Sequence, residues 1–279
     1  MVMGHIPRAV KASEAQSACT DCRGGYPLGG RRKTHRRRAM PNPTAAMLVI
    51  GDEILSGRTR DANMYYLAGE LAKHGVDLKE VRVVSDDAAA IVTAVKALSG
   101  AYDHVFTSGG IGPTHDDITA DCIAEAFGAA IDVRADARAI LEEHYAKTGA
   151  ELNEARLRMA RIPDGAALID NPVSRAPGFT LGNVHVMAGV PAVFQAMVET
   201  VLATLAGGKP LLSQTLRVER GEGEIAATLS ALAEKFGDLS IGCYPFQVNG
   251  AFGANVVVRG TEGARVDAAI TELARDLGV

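Results

Sequence analysis

From residue 45 onward, short apolar runs alternate with longer amphipathic stretches, and this alternation constrains the fold more than any other feature. Residues 47–50, 78–84 and 105–107 are predicted to be strands. Each is followed by a stretch with helical periodicity, an order that is typical of a mainly parallel sheet with helices on both faces. The sequence therefore predicts an α/β domain of three layers, α/β/α, over residues 45–207.

The rest of the chain extends this pattern and then changes it. Helices are expected over residues 61–74, 88–98, 116–127, 135–160 and 191–205, with a hairpin over 179–187 that turns at Gly182–Asn183. After a linker at 207–210, strands are expected at 212–218, 240–244 and 255–259, and helices at 222–236 and 262–277. This β-α-β-β-α order predicts a small α+β domain over residues 208–279, near the lower size limit for independent folding.

Charge is distributed unevenly along the chain. Residues 1–40 carry nine Lys or Arg against two Asp or Glu, although the whole chain has a net charge of −4. Such a basic run can bind nucleic acid or an anionic surface, but it is more often a solvated arm. We therefore expect residues 1–44 to be a disordered basic tail, with Met40 as an alternative start. Cys19 and Cys22 have zinc-knuckle spacing, yet a second cysteine pair is missing, which disfavours a structural zinc.

Composition excludes several classes of protein. No apolar run approaches the roughly 18 residues that cross a bilayer, and the basic N-terminus lacks the apolar block of a secretory signal. Four cysteines in 279 residues do not form a disulfide framework and fit a reducing compartment. Trp is absent and aromatic residues are 5%, so we do not expect a base-stacking surface for nucleic acid. A cytoplasmic protein without a membrane partner is predicted.

A glycine-rich turn follows the third predicted strand. In the segment 107–119, the glycines Gly109, Gly110 and Gly112 allow backbone N–H groups to approach an anion closely. Asp116 and Asp117 come directly afterwards, and their charges would repel a phosphate unless a divalent cation lay between them. The sequence thus indicates a metal-assisted phosphate site, to which the neighbouring Ser108 and Thr114 are also assigned. The alternative is that Thr114 and Asp117 form a capping box at a helix start.

Acidic residues also follow the first two strands. Asp52 and Glu53 come after the first strand and Asp86 after the second. In an open α/β sheet these loops meet at the carboxyl edge of the strands, where ligands bind. Asp52 and Glu53 are therefore expected to contact a metal or a ribose hydroxyl, or else only to shape the turn. Asp86 has the alternative role of starting a helix.

Three further residues are weaker candidates. His115 is a candidate general base because histidine as a residue type titrates near neutrality, although an exposed turn residue is the more common role for such a histidine. Arg175 lies in a loop of Pro, Ser and Ala and has the fork of donors that suits phosphate. Gly189 precedes Pro191 at a predicted helix start, where a second anionic group can bind; packing explains both residues equally well.

Together these motifs resemble a known family, the molybdopterin-binding-like domain of CinA, of the molybdenum-cofactor proteins MoaB and MogA, and of some FAD synthetases. The resemblance runs from about residue 47 to residue 279 and is closest to the N-terminal part of CinA proteins. It is carried by the following segments: Gly51–Gly57 with Asp61 and Asn63, the glycine turn 107–119, Ala176–Phe179, Met187–Pro191, and Ile241–Pro245.

The resemblance implies a metal-dependent pyrophosphatase that acts on ADP-ribose or FAD, with Mg²⁺ or Co²⁺, alone or together with K⁺, as cofactors. Aligned family aspartates assign a catalytic role to Asp117 and Asp86, with Asp116, Asp117 and Asp52 as metal ligands. Asp52, Glu53 and Asn63 are assigned to nucleotide binding. A small-molecule nucleotide or pterin as ligand, and a homo-oligomer, either dimer or trimer, are further expectations.

Two alternatives remain open. One is a binding or adenylyl-transfer step in molybdenum-cofactor assembly, and the other is a non-catalytic module that only binds a nucleotide. Full-length CinA proteins also carry a domain that deamidates nicotinamide mononucleotide. Because this chain contains no matching segment, that activity is not expected.

Overall fold

A computed structural model describes residues 41–248 and 250–279. The predicted basic tail and the Cys19–Cys22 pair lie outside these residues, apart from the last four tail positions. Those positions belong to the folded part, because Asn42 Nδ2 donates to Asp77 Oδ1 (3.2 Å) and Thr44 N donates to Asp103 Oδ2 (2.8 Å). The predicted end of the tail at residue 44 therefore lies a few residues too late.

The larger part of the fold is built on one mixed sheet. Its strands are β1 (Thr44–Ile50), β2 (Asp77–Val84), β3 (His104–Ser108), β6 (Ala167–Ile169), β7 (Gly178–Leu181) and β8 (Val184–Met187), and β4 (Ile131–Val133) pairs with β5 (Arg161–Pro163) separately. The sheet order is β2-β1-β3-β8-β7-β6, with β1 parallel to β2 and β3, and β8 parallel to β3. Only the β8-β7-β6 end is antiparallel. The predicted mainly parallel sheet is confirmed.

Helices cover both faces of this sheet. They are α1 (Asp52–Leu55), α2 (Asn63–His74), α3 (Ala88–Ala101), α4 (Thr119–Phe127), α5 (Ala135–Thr148), α6 (Glu154–Leu157) and α7 (Pro191–Leu202). Alternate residues of β1 point to opposite sides: Leu48 packs in a cluster with Ile91 of α3 and Ile123 of α4, while Met47 packs in a cluster with Phe194 of α7. Both faces of the strand are buried, which explains its continuous apolar run and gives the predicted three layers.

Two predicted helices differ from the structure. The helix expected from residue 116 begins at Thr119, because residues 114–117 form a turn in which Asp117 N donates to Thr114 O (3.3 Å). The helix expected over 135–160 is interrupted after α5 by Gly149, whose φ of 70° is left-handed. Asn153 then caps α6 by accepting from Arg156 N (3.0 Å).

The small C-terminal part has the predicted element order. It consists of β9 (Leu212–Val218), α8 (Glu222–Lys235), β10 (Ser240–Val248), β11 (Ala251–Gly260) and α9 (Gly263–Leu277). The strands form an antiparallel sheet in the order β10-β11-β9 and share a core with the two helices. β10 continues four residues beyond its predicted end, because Pro245 is tolerated on an edge strand, where one side of the backbone has no strand partner. None of the helices in the described ranges is long and apolar enough to span a bilayer.

Candidate functional site

The carboxyl ends of β1, β2 and β3 meet at one open cleft of about 510 Å³. Its lining includes Glu53 after β1, Asp86 after β2, and the segments 109–112 and 116–117 after β3. Residues of the segments 171–176 and 188–191 complete the wall. Because parallel strands end at the same edge, the fold brings together the three loops that the sequence singled out.

The glycine turn packs too closely against its neighbours to accommodate a side chain at Gly109 or Gly110. A Cβ atom on Gly109 (φ 108°) would lie 2.2 Å from Ile50 O, and one on Gly110 (φ 70°) would lie 2.1 Å from Thr119 Oγ1. The Gly109 N–H, which the sequence assigned to an anion, donates instead to Met187 O (3.2 Å). The backbone donors left for a ligand are therefore those from Gly110 onward, including Gly112, which also lines the cleft.

Thr119 fixes this turn and was not singled out from the sequence. Its hydroxyl donates to Gly109 O (3.0 Å) and its N–H donates to Gly110 O (2.9 Å), while the residue is fully buried. The available signal was a threonine at the start of a helix, directly after a glycine-rich turn. Thr119 is the residue that couples the turn to α4.

Asp117 lies against the turn and is held by Thr114. Asp117 Oδ2 accepts from Thr114 N (2.8 Å) and from the Thr114 hydroxyl, and a Cβ on Gly112 would approach the same oxygen within 2.6 Å. The pair expected as a capping box therefore exists, but it closes a turn two residues before α4. Asp116 also lines the cleft. His115 is exposed, with Nδ1 3.8 Å from Asp116 Oδ1.

Asp86 lies among other carboxylates. Its Oδ2 accepts from Asp52 N (2.9 Å). Burial raises the pKa of Asp86 above its ordinary value, and the negative charges of Asp52, Glu53 and Asp116 raise it further. The Asp52 carboxyl itself belongs to a separate, shallow cleft beside Arg58. Of the residues predicted to bind the metal, Asp116 and Asp117 line the main cleft and Asp52 does not.

Asn63 and Ser108 are buried beneath the cleft. Asn63 is 3% exposed, so its side chain is buried rather than on the outer surface of α2. Its Nδ2 donates to Ser108 Oγ (2.7 Å) and to Gly189 O (2.7 Å). Gly189 lines the cleft close to Gly109, where an added Cβ would be 3.3 Å from the Gly109 Cα. Asn63 and Ser108 thus position the glycine turn and the loop that carries Gly189. Of these three residues, only Gly189 lines the cleft.

The loop that carries Arg175 is organised by a second asparagine. Asn171, 1% exposed, donates from Nδ2 to Ala176 O (2.8 Å) and accepts at Oδ1 from Ser174 N (3.1 Å). Arg175 has a left-handed φ of 64°, and its guanidinium lies 3.3 Å from Asp170 Oδ1, outside the cleft lining. The residues of this loop that reach the cleft include Asn171, Ser174 and Ala176. An asparagine followed by proline at a loop start was the signal for Asn171.

The carboxylates suit a hard cation that also binds the ligand. Across residues 41–248 and 250–279, no three Asp, Glu, His or Cys side chains are arranged to hold a metal ion on their own. Mg²⁺ commonly takes one or two carboxylates and completes its shell with water and substrate phosphate. Asp116 and Asp117 fit that pattern, since both line the same cleft as the glycine turn.

Comparison with known families assigns both parts of the chain. A family model described as "Probable molybdopterin binding domain" matches residues 46–211. A second model, described as "FAD synthase, middle domain", matches residues 210–279. The two matches meet at the linker between α7 and β9.

Individual proteins show the same similarity. A "Probable FAD synthase" of Caenorhabditis elegans is 34% identical over 267 residues, covering 87% of this chain and 51% of that protein. A "CinA-like protein" of Citrifermentans bemidjiense is 36% identical over 194 residues, covering 68% of this chain and 45% of that protein. The chain thus spans about half the length of these relatives. A solved structure of the protein CinA from Thermoplasma acidophilum, described as having unknown function, has a TM-score of 0.53 and 34% identity, and covers 57% of this chain and 96% of that one.

Proposed function

Since the chain belongs to the probable molybdopterin binding domain family, we propose that it is a metal-dependent pyrophosphatase acting on ADP-ribose-like or FAD-like compounds. The observation that carries this proposal is the cleft of about 510 Å³, whose lining combines the glycine turn with carboxylates that follow two other strands. Backbone donors suit phosphate oxygens, and carboxylates suit a cation that bridges to phosphate. Both are needed to cleave a pyrophosphate.

The proposed reaction is hydrolysis of the P–O–P bond. Water attacks one phosphorus, the bridging oxygen leaves with the other phosphate, and the water proton is transferred to a base. ADP-ribose would give AMP and ribose 5-phosphate. We assign the base to Asp86, because its raised pKa makes it a better proton acceptor and its Oδ2 is already oriented by Asp52 N.

The metal would be held by Asp116 and Asp117. A bound Mg²⁺ or Co²⁺, alone or together with K⁺, would supply positive charge that neutralises the phosphate oxygens and stabilises the leaving group. The role of Thr114 is to orient the carboxylate, since it donates to Asp117 Oδ2 through both its N–H and its hydroxyl. Gly110 and Gly112 would contact the phosphate through their N–H groups, and Asn63 and Ser108 would hold the turn in place.

A second candidate is a binding or adenylyl-transfer role with a pterin or nucleotide. It is favoured by the description of the matched family and by the match of residues 210–279 to the FAD synthase middle domain. The same phosphate contacts would serve either reaction. The difference lies in the acceptor, which is water in the hydrolase and a phosphate-bearing substrate in the transferase.

A screen of metals against substrates separates these functions. The full chain is incubated with ADP-ribose, with FAD, or with molybdopterin plus ATP, each with Mg²⁺, Co²⁺ or EDTA and with or without K⁺. The proposal predicts metal-dependent AMP release from ADP-ribose or FAD. Formation of adenylated molybdopterin without hydrolysis would favour the transferase. Saturable nucleotide binding without any product would leave a non-catalytic module.

A further inference from the structure

A second, much smaller cavity adjoins the glycine turn. It has a volume of about 20 Å³, enough for roughly one water-sized group. Its lining shares Gly110, Gly112 and Asp117 with the main cleft and adds two arginines, Arg158 and Arg161. The turn and Asp117 therefore lie between an acidic cleft and a small cavity that contains two arginines.

Neither arginine uses all of its donors. Arg158 donates from Nη2 to Asp117 O (3.3 Å), and Arg161 pairs through Nη2 with Asp121 Oδ1. The Nε atoms of both are buried, and neither has a hydrogen-bond partner among the described residues. A buried guanidinium N–H without an acceptor costs free energy. Two such donors beside a cavity the size of one oxygen-bearing group mark a site for an acceptor atom.

Charge indicates what kind of acceptor fits. Two carboxylates, those of Asp117 and Asp121, line the small cavity together with Arg158 and Arg161, so the acidic and basic charges there balance. The main cleft has no such compensation, since Glu53, Asp86, Asp116 and Asp117 line it and the described lining contains no Lys or Arg. Within the two cavities, only Arg158 and Arg161 therefore offer cationic donors to an anion. A pyrophosphate has two phosphate groups. A cation held by the carboxylates of the main cleft can bind one of them, while the other binds elsewhere.

We propose that Arg158 and Arg161 form an anion subsite that takes an oxygen of the second phosphate of a nucleoside diphosphate compound. This subsite deepens the proposed pyrophosphatase function and rests on it for the identity of the ligand. The first phosphate contacts the N–H groups of the glycine turn, and the second projects one oxygen between the arginines. Arginine suits this position because its planar fork binds phosphate oxygens with more than one donor.

The test compares two nucleotides that differ by one phosphate. Binding of AMP and of α,β-methylene-ADP, which cannot be hydrolysed between its phosphates, is measured by calorimetry with Mg²⁺ on the full chain. Arg158→Met should weaken α,β-methylene-ADP at least tenfold and AMP less than twofold, because it removes donors to the second phosphate only. Arg158→Lys should give an intermediate loss, since the charge remains but the fork does not.

Arg156→Met is the matched control. Arg156 lies on the same short segment, but it donates to Glu151 O and stacks on Tyr145, away from both cavities. Its substitution should leave the ratio of the two affinities unchanged. Thermal melting of each variant confirms that the protein is folded before binding is measured.

The other outcomes are equally definite. Equal losses for AMP and α,β-methylene-ADP in Arg158→Met would overturn the subsite and show that Arg158 only holds Asp117. Wild-type affinity for both ligands, or failure of the unmodified chain to prefer α,β-methylene-ADP over AMP, would also overturn it. Because the readout is binding, a chain that binds in the expected way without cleaving ADP-ribose would refute the proposed hydrolysis and leave the subsite standing.

Discussion

Asn63 and Ser108 are joined by a buried hydrogen bond of 2.7 Å that links the start of α2 to the end of β3. The same Asn63 amide donates to Gly189 O (2.7 Å) in the loop before α7. One side chain therefore sets the spacing between the glycine turn that begins at Gly109 and the neighbouring loop before α7. Both loops lack regular secondary structure, so this contact replaces the sheet hydrogen bonds that position β3 and β8.

Removal of this link should lower stability and widen the cleft. Asn63→Ala is expected to reduce the free energy of unfolding by about 1–3 kcal/mol, because Gly189 O and Ser108 Oγ lose a buried donor. Urea denaturation measures the change. In a double-mutant cycle with Ser108→Ala, the two losses should not add, since both remove the same bond. Fully additive losses would contradict the link.

Gly110 and Gly149 provide a matched test of the glycine turn. Both have a φ of 70°, but an added Cβ meets Thr119 Oγ1 at 2.1 Å in the first and nothing within 4 Å in the second. Alanine at either position carries the left-handed backbone cost of about 1–2 kcal/mol. Gly110→Ala should lose clearly more stability in urea than Gly149→Ala, and it alone should lose nucleotide binding. Equal effects would mean that the turn tolerates a side chain.

We expect Thr119 to hold the glycine turn through its hydroxyl. Thr119→Val keeps the shape of the side chain but leaves Gly109 O without its donor, so we expect a loss of about 1–2 kcal/mol in the free energy of unfolding. Thr119→Ser retains the hydroxyl and is the control. AMP affinity, measured by calorimetry, should fall in the Val variant and stay near wild type in the Ser variant. The interpretation fails if the two variants bind AMP equally well.

A histidine pair at the opposite end of β3 should govern acid stability. His185 is 4% exposed, and burial, together with the smaller effect of nearby His104, lowers its pKa from 6.5 to about 4. Above pH 6.5 both the folded and the unfolded states are neutral at this residue. As pH falls from 6.5 to about 4 the unfolded state gains a proton first, so stability should fall by about 3 kcal/mol.

His185→Gln removes that proton site and should flatten the decline between pH 6.5 and pH 4. Urea unfolding at half-unit pH steps provides the measurement. His115→Gln, at an exposed position, is the control and should follow the wild-type profile. An unchanged slope in His185→Gln would assign the acid sensitivity to other groups.

The periodicity of apolar residues predicted the layers of the fold, because the residues that this pattern marks as buried are buried in the structure. The strand before Gly51 is a continuous apolar run that is buried on both faces. The strand before Ser85 mixes apolar and charged residues, in keeping with its place at the sheet edge. The short strands β4, β5 and β6 were missed because three residues carry too little pattern to be recognised. The break at Gly149 depends on a left-handed conformation, which glycine permits but does not require.

The site was predictable where chain order alone brings residues together. Asp86 and Asp117 follow β2 and β3, the parallel strands on either side of β1, so their meeting at one edge follows from the topology. The roles of Asn63 and Ser108 as buried supports do not, because their contact joins positions 45 residues apart. Arg158 and Arg161 lie beyond a helix whose end the sequence placed wrongly, which hid their approach to the turn.

The most direct test of the proposed function is the rate of AMP release from ADP-ribose by the full chain with Mg²⁺, compared with Asp117→Asn and with His115→Ala as control. We expect a Mg²⁺-dependent rate that falls about 100-fold or more in Asp117→Asn and stays near wild type in His115→Ala, with unchanged melting temperatures. Wild-type activity in a folded Asp117→Asn variant, or no AMP release from ADP-ribose or FAD with any divalent metal, would contradict the account.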